Sequence, residues 1–111
     1  MCRRYTLTVS EKELKKRFQI ELIEWDYVKR YNIAPSQQVP VVIIHNKRIL
    51  TGMRWGLVPG WAQSTKLKYK MINLTVENLS NKITFRKNLQ RKRCLIPADG
   101  FYEWVRDREL K

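Results

Sequence analysis

Val39-Pro40-Val41-Val42-Ile43-Ile44-His45, then Asn46-Lys47, then Arg48-Ile49-Leu50-Thr51-Gly52-Met53-Arg54-Trp55-Gly56-Leu57, forms a dense β-branched run, a polar turn and a second apolar run. β-Branched side chains are stiff at χ1 and pack well on a pleated surface, so residues 39–45 read as a strand. Pro40 stands near its start, where a missing ladder bond matters least. Asn46-Lys47 turns the chain back into 48–57, and the whole stretch predicts a β-hairpin. His45 is the only histidine of the chain; at the end of an apolar run it reads as a strand-end residue rather than a catalyst.

On the N-terminal side, Tyr5, Leu7 and Val9 alternate with polar neighbours and predict a strand over 4–9 with one buried face. Ser10 and Glu13 form a capping box, with Val9 placed to staple onto Leu14, so a helix over 11–18 with Leu14 and Phe18 inward covers one side of the sheet. Residues 20–31 carry a mixed signal and read as loop with a short turn. Asn32-Ile33-Ala34-Pro35-Ser36 reads as a fixed surface loop, because proline holds the residue before it extended.

On the C-terminal side, Pro59-Gly60-Trp61 ends the hairpin, and Lys66, Lys68 and Lys70 follow without apolar periodicity. Lysines beside a tryptophan suit a platform for single-stranded nucleic acid, or equally a solvated basic loop beside a packed ring. Met71-Ile72-Asn73-Leu74 reads as a short strand and residues 85–92 as a helix. Ala98-Asp99-Gly100 then turns into a last strand over 101–105. There Phe101, Glu103 and Val105 share one face and Tyr102 and Trp104 the other. Glu103 among apolar neighbours is a candidate proton shuttle, although an exposed strand glutamate is the commoner case.

A chain of 111 residues holds one small domain. Its 23 basic against 10 acidic residues give a formal charge of +13, which asks for a polyanionic partner. Nucleic acid fits better than a membrane, because no stretch is long or apolar enough to span or lie on a bilayer. Four Trp and five Tyr supply stacking surfaces for single strands. With two cysteines, Cys2 and Cys94, and neither a signal peptide nor metal-ligand spacing, the sequence predicts no disulfide framework, no metal and no cofactor. That cysteine usage fits a cytoplasmic protein, nucleoid-associated if its source is bacterial.

The chain opens Met1-Cys2-Arg3-Arg4-Tyr5. Cysteine is small, so the methionine ahead of it is normally clipped, leaving an α-amine and a thiol on one residue. Such a 1,2-aminothiol condenses with an aldehyde in two steps, amine attack to a Schiff base and thiol closure to a thiazolidine, although a cysteine that merely follows the start codon is the commoner case.

Four blocks together carry a resemblance: the Cys2 start with Arg4; Tyr31-Asn32-Ile33-Ala34-Pro35; Arg54-Trp55-Gly56-Leu57-Val58-Pro59-Gly60-Trp61; and Arg93-Cys94-Leu95-Ile96-Pro97-Ala98-Asp99-Gly100-Phe101-Tyr102-Glu103-Trp104. Their order and spacing resemble the SRAP family of abasic-site processing proteins. The resemblance implies an α+β fold, mostly antiparallel and barrel-like with a few short helices. It also implies binding of single-stranded DNA containing abasic sites, and a thiazolidine crosslink with associated lyase or autoproteolytic peptidase chemistry in DNA repair and the SOS response. Carried over by position, Cys2 is the nucleophile through amine and sulfur, Asn73 anchors the opened sugar or the cysteine end, and Glu103 is the acid/base group. Arg4, Asn32, Pro35 and Trp61 are the DNA-binding positions, with the loop from Asn32 to Pro35 shaping the pocket.

Two positions depart from the family pattern. Arg3 stands where glycine is usual, which misplaces the nucleophile if that glycine adopts a backbone closed to side chains. Thr75 replaces an arginine expected on a phosphate. The resemblance covers roughly the first half of the family domain, so residues 1–111 read as its incomplete N-terminal portion, and the family's second-half histidine motif has no counterpart. An unpaired strand edge and an uncovered apolar face follow, with aggregation or completion by another chain as consequences. The competing readings are a non-catalytic basic module for single strands and an inactive remnant.

Overall fold

The computed structural model describes residues 2–58 and 72–105. Along them run β1 (Tyr5–Leu7), α1 (Glu11–Phe18), β2 (Leu22–Ile23), β3 (Arg30–Ile33), β4 (Gln38–His45), β5 (Lys47–Arg54), α2 (Val76–Asn81), α3 (Ile83–Arg91) and β6 (Gly100–Phe101). The strands make two three-stranded sheets, ordered β3-β1-β6 and β2-β5-β4. The fold is α+β as expected, and every strand pair is antiparallel except β2 with β5.

The β4–β5 hairpin forms with full register from Gln38↔Arg54 to His45↔Lys47. It differs from expectation at both ends. The turn centres on Asn46 alone, whose φ of 63° is left-handed, a conformation asparagine tolerates. β5 stops at Arg54 rather than Leu57. Trp55 N donates to Gln37 O at 2.9 Å, Ser36 N donates to Trp55 O at 2.9 Å, and Gly56 then bends the chain at φ 138°. Mid-strand, Gly52 leaves room for the Trp25 ring; a Cβ there would stand 1.9 Å from a ring carbon.

The helix over 11–18 forms as predicted. Ser10 Oγ accepts from Glu13 N at 3.1 Å, and Leu14 is buried. Leu7, Leu14, Ile33, Val41 and Leu50 bring both sheets and α1 into one cluster. Each such side chain contributes about 1.5–3 kcal/mol by leaving water.

Residues 20–31, expected as loop, contain β2 and the start of β3, and Asn32-Ile33 lies in β3 rather than in a loop. These strands are too short to show alternation; β2 exists because Leu22 and Ile23 pair with Ile49 and Leu50 of β5. Residues 72–74 form no strand, and Met71 lies outside the described residues. α2 was hidden in a polar stretch and buries none of its residues. α3 starts two residues before the expected helix.

β1 is shorter than the expected 4–9 because the N–H groups of Thr8 and Val9 are taken by a side chain, the Asp99 carboxylate. Asp99 Oδ1 also accepts from Thr6 Oγ1 at 2.6 Å and Oδ2 from Thr8 Oγ1 at 2.9 Å, while Asp99 N donates to Thr6 O at 2.9 Å. β6 therefore docks on β1, with Tyr5↔Phe101 and Thr6↔Gly100 in register. The last strand is only these two residues rather than 101–105. Beyond it Tyr102 N still donates to Arg4 O at 3.0 Å, but no strand among the described residues flanks β6 on its other side. Phe101, Tyr102, Trp104 and Val105 are exposed there, Trp104 almost entirely.

Burial pushes the Asp99 carboxyl up, but the hydrogen bonds from Thr6, Thr8 and Val9 outweigh it and hold it below its ordinary value. A carboxyl lowered on folding contributes stability that is full above about 3.9 and lost as pH falls through the lower folded value. Asp99→Asn should therefore lower stability at pH 7 by about 1 kcal/mol, the contacts being exposed and screened. The gap to the wild-type chain should close in acid, and a gap unchanged from pH 7 to pH 2 in thermal unfolding would contradict this role.

Candidate functional site

Cys2 lies three residues ahead of Tyr5, half-buried, with its Sγ–H donating to Arg4 O at 3.2 Å. The Asn73 side chain, 71 residues along the chain, donates from Nδ2 to Cys2 O at 3.1 Å. Asn73 is itself held in place, because Trp55 Nε1 donates to Ile72 O at 3.2 Å. Trp55 in turn packs on Tyr5, with ring centroids 5.6 Å apart and planes tilted by 58°. β1, the end of β5 and the segment before α2 thus close a circuit around Cys2.

Cys2, Asn73 and Glu103 line one cavity of about 630 Å³, together with Tyr5, Trp55 and Cys94. Glu103 also lines a second cavity of about 830 Å³ with Arg3, Arg4, Asn32, Tyr102 and Trp104. Here Arg4 Nη1 donates to Asn32 Oδ1 at 3.1 Å, and Tyr102 Oη donates to Tyr31 O at 2.9 Å. Glu103 is exposed and lies past the end of β6, so it stands between the two spaces rather than on a strand face. Five predicted positions, Cys2, Arg4, Asn32, Asn73 and Glu103, are brought to these neighbouring cavities. Pro35 sits in the turn after β3 and lines neither. Trp61, with Lys66, Lys68 and Lys70, lies outside the described residues.

The departures from the family pattern have distinct structural settings. Among the described residues other than glycine, positive φ occurs at Gln19, Ser36 and Asn46, so the backbone at Arg3 is open to any side chain. Thr75 is the N-cap of α2, without a side-chain capping bond. His45 is exposed at the end of β4 and lines neither cavity.

Tyr5, Trp55 and Cys94 were legible only as core or motif residues, and the cavity gives them a further setting. Burial pushes the Tyr5 phenol up to about 12, with Arg30 opposing and Cys2 and Cys94 reinforcing the rise. Burial likewise pushes the Cys94 thiol up against the pull of Arg93, so it stays protonated. The arrangement brings a thiol, an amide that fixes the carbonyl of the same residue, and a carboxylate into one apolar-walled space beside a basic one. Among the described residues no group of three His, Cys, Asp or Glu side chains could hold a metal, and no helix is long and apolar enough to cross a membrane.

The family model described as SOS response associated peptidase (SRAP) matches residues 1–111. An abasic site processing protein of Bacillus subtilis, YoqW, is 47% identical over 109 residues, covering 96% of this chain and 49% of its own length. The abasic site processing protein HMCES of Xenopus tropicalis is 34% identical over 98 residues, covering 77% of this chain and 29% of its own. A crystal structure of a protein from Bordetella bronchiseptica superposes with a TM-score of 0.71 at 23% identity, covering 92% of this chain and 50% of that one, which shows a shared fold. The chain spans about half the length of the Bacillus relative. On the match over its whole length and these identities, the chain belongs to the SRAP family.

Proposed function

We propose that this chain is the N-terminal portion of an SRAP domain, and that it captures abasic sites in single-stranded DNA covalently through Cys2. The observation that carries the reading is the Asn73 bond to the Cys2 carbonyl inside a cavity that Glu103 shares. That bond fixes the residue bearing both nucleophiles while leaving its amine and thiol for chemistry.

With Met1 removed, the Cys2 amine attacks the aldehyde carbon of the opened sugar. The carbinolamine then loses its hydroxyl as water, Glu103 taking the proton from the nitrogen and passing it to the departing hydroxyl, and an imine remains. The Cys2 thiol adds to the imine carbon, its proton passes to the nitrogen, and a thiazolidine closes; one water is released overall. Both nucleophiles reside on one residue, so ring closure is intramolecular and gains from proximity. Arg4, with Asn32 bonded to it, holds a phosphate in the second cavity. Pro35 and Trp61 are further DNA-binding positions by family resemblance, and the charge of +13 drives the first encounter.

Incubation with an abasic-site oligonucleotide followed by a denaturing gel should show a shifted band. Cys2→Ala should abolish it and Cys2→Ser should not restore it, because a hydroxyl closes the ring far less stably. A stable serine adduct would contradict the thiazolidine step. Chain with Met1 retained should give no adduct, since an amide nitrogen is no nucleophile.

Non-covalent affinity for an intact single strand should fall with salt, and Arg4→Ala should reduce the log–log slope by about 0.7, the share of one phosphate contact. An unchanged slope would remove Arg4 from the DNA path.

A further inference from the structure

A second apolar surface lies across the ladder that walls the Cys2 cavity. Side chains along a strand point alternately to opposite faces. Val41 and Ile96 line the Cys2 cavity, while their chain neighbours Val42 and Leu95, bonded to each other both ways at 2.9 Å, line a separate groove of about 490 Å³. The two spaces share Cys94 alone, and the groove shares no residue with the Arg4 cavity. Ile44 and Leu95 are 77% and 58% exposed there, an apolar floor presented to solvent. The guanidinium groups of Arg17, Arg48 and Arg93 surround it, and among the described residues no carboxylate lines it. Two of the three are held in place. Arg48 Nη1 donates to Phe18 O at 3.2 Å and Arg93 Nη1 to Leu89 O at 3.3 Å, which leaves most of the five donors of each for an incoming anion. Val42 spends its N–H and C=O on Leu95, so the same groups of Ile44, two residues on, point to that edge as well. The isolated Val42–Leu95 bridge stops short of them.

We propose that this groove docks an acidic peptide segment of a partner protein, extended along β4, with aliphatic side chains on the floor and carboxylates on Arg17, Arg48 and Arg93. Planar guanidinium groups pair carboxylates bidentately, and an exposed strand edge adds main-chain bonds, a recurring mode of peptide capture. A further stretch of DNA fits the groove less well. Bases stack on aromatic faces, whereas this floor is aliphatic apart from Phe18, which packs on the core, and it lies across the ladder from the Cys2 cavity. Nothing in this site depends on the chemistry of Cys2.

The full chain is titrated, with fluorescence anisotropy as the readout, into a short labelled peptide that alternates aspartate with leucine. The wild-type chain should bind it. Replacing the aspartates by asparagine should weaken binding about tenfold, several exposed pairs being lost together. Replacing the leucines by serine should cost at least about as much, and Ile44→Ser about tenfold, because apolar burial is removed from one side or the other. Arg17→Ala should cost about threefold, the share of one exposed ion pair. Ile44→Ser should leave affinity for an intact single strand unchanged, and the peptide should still bind when that strand is saturating. No binding by the wild-type chain, equal binding of the asparagine or serine peptide, or an unchanged affinity in Ile44→Ser would each overturn the proposal. Displacement of the peptide by the strand, or a loss of strand affinity in Ile44→Ser, would overturn it by assigning the groove to nucleic acid. The altered peptides are read on the wild-type chain, so they decide the matter even where a variant folds poorly.

Discussion

Asp99 joins two parts of the chain 93 residues apart by accepting from Thr6, and its carboxylate also takes the N–H and hydroxyl of Thr8 and the N–H of Val9. The consequences reach well beyond that turn. Because the carboxylate caps the end of β1, Gly100 and Phe101 lie antiparallel along β1 and the chain continues past Arg4, where Tyr102 N finds its carbonyl. Glu103 is thereby delivered to the Cys2 cavity from a distant stretch, while Leu95, bonded both ways to Val42 at 2.9 Å, sets Cys94 on the same cavity. The lowered carboxyl keeps this arrangement charged, and so strongly bonded, throughout the neutral range.

The second constraint is the circuit from Tyr5 through Trp55 and Ile72 to Asn73 and back to Cys2. A chain terminus ordinarily frays, since few contacts repay the entropy of ordering it. Here one amide bond to the Cys2 carbonyl, the Cys2 thiol's bond to Arg4 O and the burial of nearby Tyr5 restrain the segment at Cys2. Charge is divided between the spaces. Arg3 and Arg4 line the wider cavity, and the Cys2 cavity is mostly walled by aliphatic and aromatic side chains.

Much of this was legible from residues alone where the signal is local. The Val39 to His45 run, the Ser10/Glu13 cap and the alternation of Tyr5 and Leu7 each gave the right element, because side-chain period and capping chemistry act within a few residues. What sequence concealed was set by long-range partners. β2 exists only against β5, β1 ends where Asp99 takes its amides, and β6 pairs with β1 and with no other strand among the described residues. For the site, Cys2 and Glu103 read as candidates from their own chemistry and Asn73 from the family resemblance, while their common cavity could not be read from positions so far apart. Tyr5 reads from sequence as packing, because a strand tyrosine facing the core is most often that; its place on the cavity wall exists only in three dimensions.

In the proposed thiazolidine, the amine nitrogen and the sulfur of Cys2 are both bonded to one carbon of the sugar. Peptide mass spectrometry of the adduct, with and without borohydride treatment before digestion, tests this directly. A thiazolidine has no C=N bond to reduce, whereas an imine gains two hydrogens. The modified N-terminal peptide should begin at Cys2, with identical mass in both samples and no free thiol on Cys2. A mass two hydrogens higher after borohydride, or the modification on a lysine, would contradict it.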